Sequence, residues 1–207
     1  RALVVGRRRN LDYVRCGRRV PVWLACQYAF YDRVVFSKLK KAVGIENGNI
    51  FPTAGAPLSD TINEFLHSCG INILYGYGLS ETTATVSCFE LSGYRIGSVG
   101  TTLPDVQVKI GADNEILVKG PTVMKGYYKK PEATAQAFTA DGWFRTGAAG
   151  QLGADGAIVL TERIKDLFKT SNGKYIAPQA IQAKLGEDKY NEQVAVIGDR
   201  RQYVTAL

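Results

Sequence analysis

Between residues 48 and 86 the chain alternates short apolar runs with turn signals: NIFPTAGAPLSD, then TINEFLHSCG, then INILYGYGLSETTATVS. The first and third runs read as strands. The second reads as a helix, with apolar residues at Ile62, Phe65 and Leu66, a cap at Ser59 or Asp60, and a stop at Gly70. A strand, a helix and a second strand in that order are the grammar of layered α/β folds. In such folds the loops after the strands meet in a crevice at the carboxyl edge of the sheet. The fold class is therefore α/β, and those two loops are the first places to look for chemistry.

Beyond this unit the pattern changes. From about residue 89 to residue 160 the helical signal fades into short alternating segments, VQVKI, EILVKG and GAIVL, separated by Gly, Pro and Asp. That spacing predicts a small antiparallel or barrel-like unit. One interruption, PEATAQAF, predicts a helix with Pro131 in its first turn. After Glu162, RIKDLFKTSNGKYIAP predicts a hairpin around Asn172 and Gly173, followed by a helix near residues 179–185 and a strand in QVAVIG.

The formal net charge of +7 is unevenly placed. Residues 1–41 hold 11 Lys and Arg against Asp12 and Asp32, while the rest of the chain is slightly acidic. Clustered cations can release counterions from nucleic acid, but no aromatics are interleaved at a spacing that suits base stacking. The arm reads instead as an amphipathic helical connection and a second helix over residues 22–43, with the cations as its wet face. Nucleic acid is not an expected partner. Cys16, Cys26, Cys69 and Cys88 form no CxxC pair, and His67 is the single histidine. Neither a zinc site nor a disulfide framework is expected, and the thiols suit a reducing compartment. No apolar run reaches the length of a membrane span and no signal peptide is visible, so a cytoplasmic location is the default expectation.

Three stretches carry chemistry. YGYGLSETT follows the second strand and TAGAPL the first. Glycines admit close backbone approach to a ligand, an aromatic offers a stacking face, and hydroxyls beside a carboxylate suit a phosphate oxygen and a divalent cation. Two such loops facing one crevice suit a nucleotide. The third stretch, GWFRTGAAG at residues 142–150, runs two aromatics, a cation and a hydroxyl into what reads as a turn of Gly and Ala.

Taken in order, AGAPLS, YGYGLSETT, GSVGTTLPDVQVKI, NEILVKGPTVMKGYYKKPEAT, DGWFRTG and ERIKDLFKTSNGKYIAP resemble the adenylate-forming superfamily, and most of all its long-chain fatty-acid CoA ligases. The resemblance covers residues 21–207. It implies a partial α/β nucleotide-binding subdomain at 1–88, a β-rich barrel-like subdomain at 89–162, and at 163–207 a hinge with the start of a small mobile α+β C-terminal domain. It also implies an ATP-dependent reaction through acyl-AMP, with fatty acid, ATP and CoA as substrates and Mg²⁺ as cofactor. In a fatty-acid enzyme the basic arm would favour a peripheral membrane contact.

Site residues follow from the same resemblance. Gly55, Ala56 and Pro57, with Gly76, Tyr77 and Gly78, would sandwich adenine, Tyr77 supplying the stacking face. Ser80 stands where the family has a Thr that donates to the α-phosphate, Thr82 joins the nucleotide contacts, and Glu81 would hold Mg²⁺. Arg163 would approach ribose and phosphate, Lys165 marks the hinge, and Lys169 and Gly173 would lie on the loop that faces the site during thioester formation. Ser80, Glu81 and Lys169 are the catalytic candidates.

Two family features are expected outside the chain: a phosphate loop before Arg1 and an adenylating lysine after Leu207. The chain is thus expected to be an internal or truncated piece, inactive alone. A third departure is internal. The family's DGWFRTG motif continues with an Asp that accepts from both ribose hydroxyls, and this chain has Ala148. A hydrogen bond to a charged acceptor is worth about 1.5–3 kcal/mol, so nucleotide binding should weaken by roughly tenfold to a few thousandfold. Asp155, in the turn ADG, is not expected to compensate. Two other readings remain open at this point: an acyl-AMP ligase that serves a carrier protein, and a non-catalytic nucleotide-binding remnant.

Overall fold

The computed structural model of the chain describes every residue except 49, 90–92, 165, 166, 172–174, 189, 192 and 200, and describes the backbone alone at 162, 163, 168, 169, 175 and 180. The N-terminal arm is helical, as expected. Helix α1 (Ala2–Arg9) continues into a π-helical turn at Asn10–Val14, and α2 (Val22–Tyr31) runs through a second π turn, Asp32–Phe36, into α3 (Ser37–Ala42). Leu24, Tyr28 and Phe36 form the buried line of this run. Its exposed side is not purely cationic, because Val22, Trp23, Phe30 and Val34 are exposed too. Several arginines lie against the protein: Arg7 pairs with Glu64, and the Arg8 and Arg9 guanidinium groups sit over the Trp23 and Tyr28 rings at 5.1 and 4.2 Å. Among the described residues no helix is long and apolar enough to cross a membrane.

Strand β1 (Phe51–Thr53), helix α4 (Asp60–Ser68) and strand β2 (Ile73–Tyr77) form the expected unit. The strands are parallel, with Phe51 opposite Ile73 and Thr53 opposite Tyr75. The buried face of α4 departs from expectation. Ile62 and Phe65 are exposed, whereas Asn63, His67 and Ser68 are buried. Two of these side chains are paired, as buried polar groups usually are: Asn63 and Tyr94 exchange hydrogen bonds at 2.7 and 2.9 Å, and Ser68 Oγ donates to the Glu64 carbonyl at 2.7 Å. The His67 carbonyl accepts from Asn10 Nδ2 at 2.8 Å, while its two ring nitrogens are buried with no hydrogen-bond partner among the described residues. Helix α1 crosses this face at Gly6, where a Cβ would collide with the Ser68 carbonyl.

Strands β3 (Ser87–Cys88) and β4 (Thr101–Thr102) extend the first sheet in the order β1-β2-β3-β4. A second, antiparallel sheet holds β5 (Gln107–Ile110), β6 (Glu115–Lys119), β7 (Phe144–Leu152) and β8 (Ile158–Arg163) in sequence order. Between β6 and β7 lies α5 (Pro131–Ala137), with proline in its first turn as expected. One apolar cluster, Tyr77, Val86, Val99, Val106, Ile116, Val118, Ala148 and Ile158, joins the two sheets across residue 88.

GAAG, expected as a turn, is instead part of β7. Gly147 takes a φ of +68°, the register slips between Ala149 and Gly150, and a Cβ on Gly150 would press on Ile116 and the Val159 carbonyl. The small residues serve a bulged strand in tight contact with its neighbours. The turn proper follows, where Gly153 N donates to the Ala157 carbonyl at 2.8 Å and Asp155 Oδ1 accepts from Ala157 N at 3.2 Å.

In the C-terminal part, β9 (Phe168–Lys169) and β10 (Tyr175–Ile176) form the expected antiparallel hairpin, whose tip residues Asn172 and Gly173 lie outside the described residues. Helix α6 (Pro178–Leu185) follows, then β11 (Val196–Ile197), paired with a strand the sequence did not announce, β12 (Thr205–Ala206). Just after α6, Glu187 accepts a 2.6 Å hydrogen bond from Ser59 Oγ at the start of α4.

Candidate nucleotide site

The parallel pairing of β1 and β2 sends the loops that follow them off the same edge of the sheet. The first loop is strapped to β2 by Tyr75, whose Oη accepts from Leu58 N and donates to the Ala56 carbonyl, both at 3.2 Å. Burial pushes the Tyr75 phenol pKa up, against the Leu58 N–H that favours the phenolate. Gly55 takes a φ of +89°, so the Gly55, Ala56 and Pro57 backbone turns where a side chain would be strained.

In the second loop the glycines answer to the fold itself. A Cβ on Gly76 would lie 2.9 Å from the Ser87 carbonyl, and one on Gly78 would collide with the Ala84 carbonyl. Tyr77 between them is 9% exposed and packed into the central cluster. Residues Ser80–Thr82 form a 3₁₀ turn, followed by Thr83 and Ala84 at positive φ. Ser80 is exposed and Glu81 half-buried. Thr82 is fully buried, and its hydroxyl both accepts from Leu79 N and donates to the Leu79 carbonyl, at 3.0 and 3.1 Å. As placed, Thr82 shapes the loop from within.

Glu81 Oε1 accepts from Tyr127 Oη at 2.9 Å, and the Glu81 carbonyl accepts from Met124 N at 2.7 Å. The bond to the Glu81 carboxylate pushes the Tyr127 phenol pKa up, in keeping with its role as donor. Among the described residues no group of three or more His, Cys, Asp and Glu is arranged to hold a metal ion. A hard cation at Glu81 would therefore complete its shell from water and phosphate oxygens. That is the habit of Mg²⁺, which takes one or two protein carboxylates plus substrate phosphates, so the donor set fits it.

Ala148 lies in β7 opposite Arg163 of β8, and its N–H donates to Thr146 Oγ1 at 3.1 Å. It is 8% exposed and belongs to the same apolar cluster as Tyr77. Asp155 is engaged in its turn and pairs with Arg95 at 3.3 Å. Lys169 is opposite Tyr175 in the hairpin. Lys165 and Gly173 lie outside the described residues. Sequence reasoning overlooked Tyr75 and Tyr127 as structural partners. Both stand inside quoted motifs, but nothing local to either marks the residue it bonds.

A family model described as AMP-binding enzyme matches residues 22–128. The chain is 37% identical over 193 residues to the long-chain-fatty-acid–CoA ligase FadD15 of Mycobacterium bovis, covering 93% of this chain and 32% of the relative. It thus spans about a third of the length of that curated relative. Among solved structures it is similar to ATP-bound MatB from Rhodopseudomonas palustris, with a TM-score of 0.64, 31% identity, and coverage of 82% of this chain and 36% of the other. The O-succinylbenzoate coenzyme A synthetase MenE of Bacillus subtilis, solved with ATP and magnesium ion, shares the fold at a TM-score of 0.68 and 22% identity, over 91% of this chain and 44% of the other.

Proposed function

The chain belongs to the AMP-binding enzyme family, and from that premise we propose that it forms part of a long-chain fatty-acid CoA ligase that consumes ATP through an acyl-AMP. The observation that carries this reading is the departure of the AGAP loop and the Ser80–Thr82 turn from paired parallel strands, with the Glu81 carboxylate held in the second of them. In the proposed reaction a fatty-acid carboxylate oxygen bonds to the α-phosphorus of ATP and pyrophosphate leaves. The thiolate of CoA then bonds to the acyl carbon and AMP leaves.

Each residue has a stated task in this scheme. The backbone of Gly55, Ala56 and Pro57 borders adenine on one side and Gly76, Tyr77 and Gly78 on the other. The stacking role of Tyr77 requires that the small part of its ring left uncovered by the core, in which it is 9% exposed, faces adenine. The exposed Ser80 hydroxyl donates to the α-phosphate, and Thr82 keeps that loop in shape. Mg²⁺ held by Glu81 supplies neutralisation of triphosphate charge while an anion attacks. Arg163 approaches ribose and phosphate. By the resemblance, Lys165 would mark a hinge, and Lys169 and Gly173 would serve thioester formation, following the two-arrangement logic of hinged domains. Positioning and charge neutralisation carry both steps, with no covalent enzyme intermediate.

One observation favours a second reading. At 148 a buried methyl stands where a ribose acceptor is expected, which suits a non-catalytic remnant that folds without efficient ATP use. Calorimetry on the protein with ATP and with a non-hydrolysable acyl-adenylate analogue separates the two. Tight binding of the analogue supports the ligase, and no binding of either supports the remnant. The ligase reading includes a peripheral membrane contact through the basic arm and its exposed Val22, Trp23 and Phe30. Liposome co-sedimentation at low and high salt tests it, and no binding in either condition removes it.

A further inference from the structure

Glu81 is held by a segment far from it in sequence. Three hydrogen bonds fasten residues 122–127 to the turn that carries it: Tyr127 Oη to Glu81 Oε1 at 2.9 Å, Met124 N to the Glu81 carbonyl at 2.7 Å, and Thr83 Oγ1 to the Thr122 carbonyl at 2.7 Å. The segment is itself fixed from behind by α5. Tyr127 N donates to Thr134 Oγ1 at 2.9 Å, and the same hydroxyl donates to the Lys130 carbonyl at 2.9 Å. Gly126, at a φ of +151°, lies so close to Thr134 that a Cβ there would come within 2.6 Å of its methyl. Gly126 thus permits the close approach, α5 fixes the backbone of Tyr127, and Tyr127 fixes the carboxylate.

A carboxylate with one oxygen held by a neutral hydroxyl loses rotational freedom. Its other oxygen becomes the natural ligand atom. Partners of this kind, one step removed from a cation, orient the ligating group, and their loss typically costs about tenfold to a hundredfold in metal affinity.

We infer that Tyr127 is a positioning residue whose phenol orients the Glu81 carboxylate toward the magnesium of a bound Mg·nucleotide; this rests on the nucleotide-binding reading above. The substitution Tyr127→Phe removes the hydroxyl and leaves the ring, and Tyr127 is partly exposed, so the fold should survive. Calorimetry on wild type and Tyr127→Phe would use two probes, Mg·ATP and AMP in the presence of EDTA. The Kd for Mg·ATP should rise by about tenfold or more, while the Kd for metal-free AMP stays within about twofold, since the hydroxyl acts only through the carboxylate. An unchanged Mg·ATP affinity overturns the inference, as does an equal loss for both probes, which would mark general damage to the pocket. If wild type binds AMP but not Mg·ATP, the inference falls and the nucleotide reading stands. If it binds neither probe, the nucleotide reading falls first and takes the inference with it.

Discussion

Ala148 and Arg163 are cross-strand partners in the β7–β8 ladder. The methyl of one is buried in the cluster that also holds Tyr77, so the apolar position shares a cluster with one residue proposed to meet the nucleotide and a strand pairing with another. The substitution Ala148→Asp would supply an anionic acceptor at that point. In the protein carrying this chain it should lower the KM for ATP by roughly tenfold or more, and an unchanged KM would remove Ala148 from the account. Without nucleotide the new carboxylate is desolvated among apolar neighbours, so the variant should lose more stability than the roughly 1–3 kcal/mol that burying an unpaired neutral polar group costs. Thermal melts with and without ATP should then show a larger ligand-induced rise in Tm for the variant than for wild type.

Tyr75 ties the first loop to its strand through two hydrogen bonds. Replacing it with Phe should cost about 1 kcal/mol of stability and weaken AMP binding by several-fold, through a loop that must be ordered on binding. Denaturant titration and calorimetry measure the two effects. Loss of stability with unaltered AMP affinity would show that the strap serves the fold alone.

The Asn63–Tyr94 pair is buried and reciprocal. Tyr94→Phe leaves both Asn63 side-chain groups without this partner and should destabilise by about 1–3 kcal/mol. Asn63→Leu in the Tyr94→Phe background should recover part of that loss, because two apolar groups meet no desolvation cost. A double-mutant cycle with additive effects would deny the coupling.

His67 is fully buried beside Tyr94, and its pKa is pushed down to about 4, chiefly by burial and then by the charge of Arg15. A histidine neutral in the fold and ordinary when unfolded contributes stability above its unfolded pKa. That contribution fades as pH falls from the unfolded value of 6.5 toward about 4. The loss should reach about 3 kcal/mol at most, measured as the unfolding free energy across that window. His67→Gln should flatten this slope, and a slope identical to wild type would assign the acid sensitivity elsewhere.

The parts legible in the sequence were those written locally. The β1–α4–β2 unit, the helix begun by Pro131 and the β9–β10 hairpin each follow from period, cap or turn residues within a few positions. What escaped depends on distant partners. Asn63 reads as a surface residue until Tyr94 is brought against it, and Ile62 and Phe65 read as core until α4 turns its polar face inward. GAAG has the composition of a turn, but the bulged ladder to β6 and β8 makes it strand. Tyr127 and Glu81 are 46 residues apart in sequence, and no local pattern joins them.

The central claim is tested most directly by exchange of labelled pyrophosphate into ATP, run on the protein carrying this chain with and without palmitate, followed by addition of CoA. The account predicts palmitate-dependent exchange, lost in Glu81→Gln, and conversion of the adenylate to palmitoyl-CoA once CoA is added. Exchange without thioester formation would move the protein to ligases that serve a carrier. Absence of palmitate-dependent exchange in wild type and in Ala148→Asp alike would contradict the account.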